Sequence, residues 1–163
     1  MNSSEVIKKM IGYSNGNLHD INHFIKVYAY AKTIGESERL DSNTQAVLEV
    51  AAIIHDIACP LCREKYGHTN GQYQEKEGEV LATEFLKDTG YSEEFINRVI
   101  FLVGHHHTFR DIIGLDYQIL IEADYIVNAD ESNYSNENIN NVMGKIFKTP
   151  TGIALLKSIY GLK

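Results

Sequence analysis

Apolar residues recur three and four positions apart along most of this chain, the spacing that gives a helix one buried face. Val6, Ile7, Met10 and Ile11 mark a short opening helix over residues 4 to 12, and residues 13 to 17 follow as a loop. Leu18, Ile21, Ile25 and Tyr28 share one face of a second helix, from about 18 to 34, with Gly35 as its stop. Asp41 is placed to cap a third helix carrying Val47, Leu48, Val50, Ala51 and Ile54, which Pro60 terminates. Residues 61 to 71 are polar and punctuated by glycine, which predicts a loop. Further helices are expected at 72–89, after a cap at Ser92, and at 117–128. Residues 133–141 begin another helix or a loop. Thr149-Pro150 then supplies a cap and a first-turn proline for a final helix through Tyr160. No segment alternates with a period of two, so the expected fold is an all-α, single-domain helical bundle over residues 1–163.

Composition narrows this picture. The chain has 163 residues, 44% of them hydrophobic, enough to bury a core, and only two prolines interrupt it. A formal charge of -7 argues against a general nucleic-acid binder, which needs a basic face toward phosphates. A small substrate is easier to accommodate, and assembly into a homo-oligomer stays open. The apolar runs fall short of a membrane span and the first residues lack the pattern of a signal peptide, so a cytoplasmic protein is expected. Cys59 and Cys62 form one CxxC without a second pair, which reads as free thiols.

The chemistry starts in the run Val50 to Ile57, where His55 and Asp56 interrupt a segment apolar enough to be buried. A buried carboxylate is costly unless it is paired or bound to a metal. Adjacent helix positions point about 100° apart, so the pair can converge only on something lying between helices. His23, the run His105-His106-His107, and Asp124 also sit on or at the ends of apolar faces, each ordinary by itself. Taken together they supply imidazoles and carboxylates from four separate helices. Such a set suits a divalent transition metal (Mn, Fe, Co, Ni or Zn) with coordination positions left open for water.

In order and spacing, Asp20-Ile-Asn-His23, Ala-Ala-Ile-Ile-His55-Asp56-Ile and Leu-Ile-Glu-Ala-Asp124 resemble the motifs of the HD-domain superfamily of metal-dependent phosphohydrolases. The resemblance covers about residues 18–128, with C-terminal helices over about 135–160 beyond it. It implies that His23, His55, Asp56 and Asp124 bind one catalytic metal. Some branches hold two metals, with a further histidine on the middle helix; here that place is Gln74, beside Glu75. A second metal would draw on His105, His106 and Glu75, or on Glu77 in place of Glu75. The lysine that often follows the motif is missing, which leaves Arg63, Lys65 and His68 as candidates for the substrate phosphate.

The implied activity is hydrolysis of a small phosphate ester, a nucleotide or related metabolite, by a metal-activated water. Asp56 would orient that water, and His105 or His106 would protonate the leaving oxygen. Two alternatives accompany it: a di-iron oxygenase of the same superfamily, and a non-catalytic domain that binds a nucleotide.

Overall fold

The computed structural model describes residues 1–163 as nine helices joined by turns, without strands. They are α1 (Ser3–Tyr13), α2 (Leu18–Ser37), α3 (Ser42–Ile54), α4 (Cys59–Tyr66), α5 (Gly71–Leu86), α6 (Glu93–Val103), α7 (Leu115–Glu131), α8 (Asn136–Lys145) and α9 (Pro150–Tyr160). Side-chain oxygens of Asp41, Ser92 and Thr149 accept from backbone N–H groups at the starts of α3, α6 and α9, satisfying donors that have no partner inside the helix.

Three expectations are corrected. Gly35 does not end α2, which continues to Ser37. The glycine instead lets α3 approach, since a Cβ there would stand 3.0 Å from Leu48 Cδ2. Pro60 does not terminate α3, and the expected loop over 61–71 is helix as far as Tyr66: the chain leaves α3 after Ile54, and Pro60 lies in the first turn of α4, where its missing N–H costs nothing. Gly67, at φ 75°, then ends α4 in the left-handed region.

Helix α3 is buried on all sides over its last eight residues and sits at the centre. Every residue from Val47 to Ile54 is buried, Glu49 included, and α1, α2, α6 and α7 pack around it. A cluster of 32 buried apolar residues extends from Val6 in α1 to Leu156 in α9. Burial also accounts for the one stretch with the length and hydropathy of a membrane span. It falls within Ser42–Tyr66, and most of it lies inside the bundle.

Glu122 on α7 is fully buried and organises the C-terminal part. Its Oε1 accepts from the backbone N–H groups of Lys148 (2.7 Å) and Thr149 (3.0 Å) and from Gln118 Nε2 (2.7 Å), while its Oε2 accepts from Thr149 Oγ1 (2.5 Å). The carboxylate thus ties the start of α9 to the central layer.

Candidate metal centre

Because α3 is central, the residues at its C-terminal end emerge in the middle of the bundle. There His55 and Asp56 meet His23 from the second turn of α2 and Asp124 from α7. His23 Nε2 lies 3.2 Å from His55 Nε2, 3.2 Å from Asp124 Oδ1 and 3.3 Å from Asp56 Oδ2. His55 Nε2 is 3.4 Å from Asp124 Oδ1 and 3.5 Å from Asp56 Oδ2. His106, in the turn after α6, points its Nε2 at the other oxygen of Asp56, 3.4 Å away.

The outer hydrogen bonds decide what these atoms offer. His55 Nδ1 is 2.8 Å from the carbonyl of Ala52, and His106 Nδ1 is 2.8 Å from that of Val103. A carbonyl only accepts, so both rings carry their proton on Nδ1 when neutral and turn the Nε2 lone pair inward. His23 Nδ1 faces Glu131 Oε2 at 2.7 Å, with the same result. Lone pairs and carboxylate oxygens crowded together repel one another unless a cation or protons lie between them. His106 Nε2 is buried and has no hydrogen-bond partner at all. This donor set fits a divalent transition metal.

The same crowding governs protonation. Burial opposes charge on His23, but its bond to Asp124 and the anion of Asp56 outweigh that and lift its pKa to about 10. His106 is raised for a similar reason, burial again opposing and Asp56 prevailing. Asp56 and Asp124 are both held below the ordinary carboxylate range: burial works against their anions, and the surrounding imidazoles overcome it. Metal ligation here therefore competes with protons. His107 behaves oppositely, lowered to about 4 by burial and then by the charge of His106.

Two residues that the motif reading did not identify complete the setting. Glu131 holds His23 and is itself paired with Lys26 (3.2 Å), while Asn128 Nδ2 donates to Asp124 Oδ1 at 2.9 Å. Asp124, Asn128 and Glu131 stand four and then three positions apart, one stripe along α7 facing α2. That spacing was readable in the sequence.

The other candidates divide. His105 points away from the cluster: its ring stacks on Phe101 with centroids 4.0 Å apart, and its Nδ1 bonds the Phe101 carbonyl at 2.7 Å. The histidine that does turn inward beside His106 is His107, and the ligand atoms of Asp56, His106 and His107 lie within 4.8 Å of one another. Glu75 is occupied elsewhere, accepting from the backbone N–H of His107 (3.0 Å) and the hydroxyl of Thr108. Gln74 Nε2 donates to the Thr69 carbonyl, which leaves its Oε1 to accept from His107 Nε2 at 3.1 Å. A neutral His107 then keeps its lone pair on Nδ1.

Glu77 is engaged by Lys65 (2.6 Å) and the hydroxyl of Tyr66 (2.6 Å), so neither Glu77 nor Lys65 serves the cluster. His68 packs beside Tyr66 and Tyr73, whose own ring centroids lie 4.4 Å apart. Of the three candidates for phosphate only Arg63 reaches the site. It lines the cavity of about 220 Å³ over the cluster, bound through both guanidinium NH groups to Asp20 at 2.8 and 2.6 Å. Cys59 lines the same cavity, its thiol pushed up by burial and then by Asp56, and both cysteines are free.

An all-helical bundle in which a histidine, a His-Asp pair and a distant aspartate converge defines a helical domain built around a metal-binding type of centre. The chain belongs to the HD domain family, whose model matches residues 20–130. No curated protein matches it. Among solved structures it is similar to a predicted HD superfamily hydrolase from an uncultured Thermotogales bacterium, at 22% identity and a TM-score of 0.68, covering 97% of this chain and 84% of that one. At that identity the likeness speaks for the fold.

Proposed function

We infer that the protein is a metal-dependent phosphohydrolase acting on a small phosphate monoester, a nucleotide or related metabolite. The observation that carries this reading is the convergence of three inward Nε2 atoms and two carboxylates at the floor of an open polar cavity. His23, His55, Asp56 and Asp124 would hold the metal, with Asp56, His106 and His107 as the set for a second ion. A divalent metal bound there acidifies water and neutralises charge on a phosphoryl oxygen. With one ion bound, Asp56 orients the attacking water, and His106 Nε2, beside Asp56 Oδ1, takes the water's proton and returns it to the leaving oxygen; with a second ion bound that nitrogen is a ligand instead. Arg63 is the cation at the mouth for the phosphate, once it exchanges Asp20 for the substrate.

A second reading, a di-iron oxygenase, is favoured by one observation: Asp56 is shared between two groups of ligands. Metal content of protein prepared without a metal-binding tag separates the two, together with phosphate release from nucleotides and small esters in Mn, Co, Ni, Fe or Mg. Metal-dependent phosphate release supports the hydrolase, whereas two irons per chain with oxygen consumption and no phosphate release overturns it.

Two variants refine the assignment. Glu131→Ala leaves His23 in place but frees its ring, and metal affinity is expected to drop by about 10–100-fold, read by metal titration. His105→Ala is expected to keep kcat/KM within about twofold, because that ring rests on Phe101. A loss of a hundredfold would return His105 to the reacting centre.

A further inference from the structure

Beside the metal cavity lies a larger one of about 510 Å³, a volume that suits a small organic ligand. The two share Thr69, His107, Asp124 and Asn128 in their walls, so they adjoin across those side chains. Their chemistry differs. The first gathers Asp20, Asp56, Asp124 and Glu131, while the second contains no acid except the shared Asp124 and no lysine or arginine.

In their place the second presents Phe109, Tyr125 and Tyr134, with Phe109 52% and Tyr134 39% exposed. Aromatic surface left open around a cavity is a site for an apolar guest. The polar groups beside it are partly committed. Tyr125 donates its hydroxyl to Asn138 Oδ1 at 2.6 Å, which leaves the Asn138 NH2 as a donor. Asn128 uses its NH2 on Asp124, which leaves its carbonyl as an acceptor. The guest that satisfies this wall is uncharged and planar, with an edge that both donates and accepts. A nucleobase has these properties.

We propose that this chamber takes the nucleoside of a nucleoside monophosphate, the base lying against Phe109, Tyr125 and Tyr134 and its edge bonding Asn138 and Asn128. The phosphate then extends into the metal cavity, a placement that rests on the phosphohydrolase reading above. Tyr134 and Asn138 are thereby the residues that select the substrate.

The test has two independent arms. In the first, binding of adenosine, guanosine, cytidine and thymidine to the metal-free protein is measured by calorimetry. At least one is expected to bind, and Tyr134→Ala, checked for folding by circular dichroism, is expected to weaken it about tenfold. In the second, kcat/KM is compared for the matching nucleoside 5′-monophosphate and for ribose 5-phosphate, which share the same leaving oxygen. The ratio is expected to favour the nucleotide by about tenfold or more, and to fall about tenfold in Tyr134→Ala. Absence of nucleoside binding, or binding and a rate ratio indifferent to Tyr134→Ala, overturns the chamber assignment even if phosphate is released. Nucleoside binding that needs Tyr134 but no phosphate release with any metal supports the chamber and overturns the hydrolase reading instead.

Discussion

Asp56→Ala is expected to lower phosphate release by about 10³-fold or more while the bundle stays folded. Asp56 offers Oδ2 to the group formed with His23 and His55, and Oδ1 to His106, so a single truncation opens both sets of ligands. Loss of the several kcal/mol that a correctly held ion supplies to the transition state corresponds to a factor of that size. Stability should move as well. Without metal, Asp56 sits against the buried imidazoles of His23, His55 and His106, which hold its carboxyl below the ordinary carboxylate range, so its anion stabilises the folded chain. The metal-free variant should therefore melt below the metal-free parent, as thermal circular dichroism would show. Its metal-induced rise in Tm should disappear, since stabilisation by a ligand follows its affinity for the folded state. Undiminished activity in Asp56→Ala would sink the catalytic assignment.

Glu122→Ala is expected to do the reverse, damaging the fold without touching the proposed metal ligands. Glu122 accepts two backbone N–H groups, a hydroxyl and a side-chain amide while fully buried, and alanine leaves the two backbone groups and the hydroxyl without that acceptor, while Gln118 keeps its bond to the Ile146 carbonyl. An abandoned buried donor costs about 1–3 kcal/mol. Allowing for rotation of the Thr149 hydroxyl and some entry of water, a total of about 3 kcal/mol is reasonable, which lowers Tm by roughly 6–12 °C in a chain of this size. Glu122→Gln keeps one acceptor oxygen and should lose about half as much. Gly152 shows how closely the site is fitted, since a Cβ there would stand only 2.1 Å from Glu122 Oε2. A thermal shift under about 2 °C for Glu122→Ala would mean that water replaces the carboxylate freely.

Helical spacing made most of the bundle legible, because the burial of α3 leaves an apolar run broken only by Glu49 and the side-chain caps at Asp41, Ser92 and Thr149 are local chemistry. Helix α4 escaped because it is short, polar and opened by a proline, and what fixes it is packing against α5 rather than its own pattern. The choice among the three histidines was open to a finer reading. His106 continues the buried face of Val99 and Leu102, whereas His105 lies four residues after Phe101 on the partly exposed side. Glu75, Lys65 and His68 could not be placed from the chain alone. Their positions depend on Thr108, Glu77 and the two tyrosines, and no local rule says which neighbour a side chain will find.

The family match ends at residue 130, yet Tyr134, Asn138 and Val142 on and before α8 wall the chamber beside the cluster. Part of the chamber wall thus lies outside the matched segment that carries all the residues proposed to hold the cation. Inheritance can act on them separately: drift in α8 can reshape molecular preference across a lineage while the ancestral ligand set is passed on unaltered.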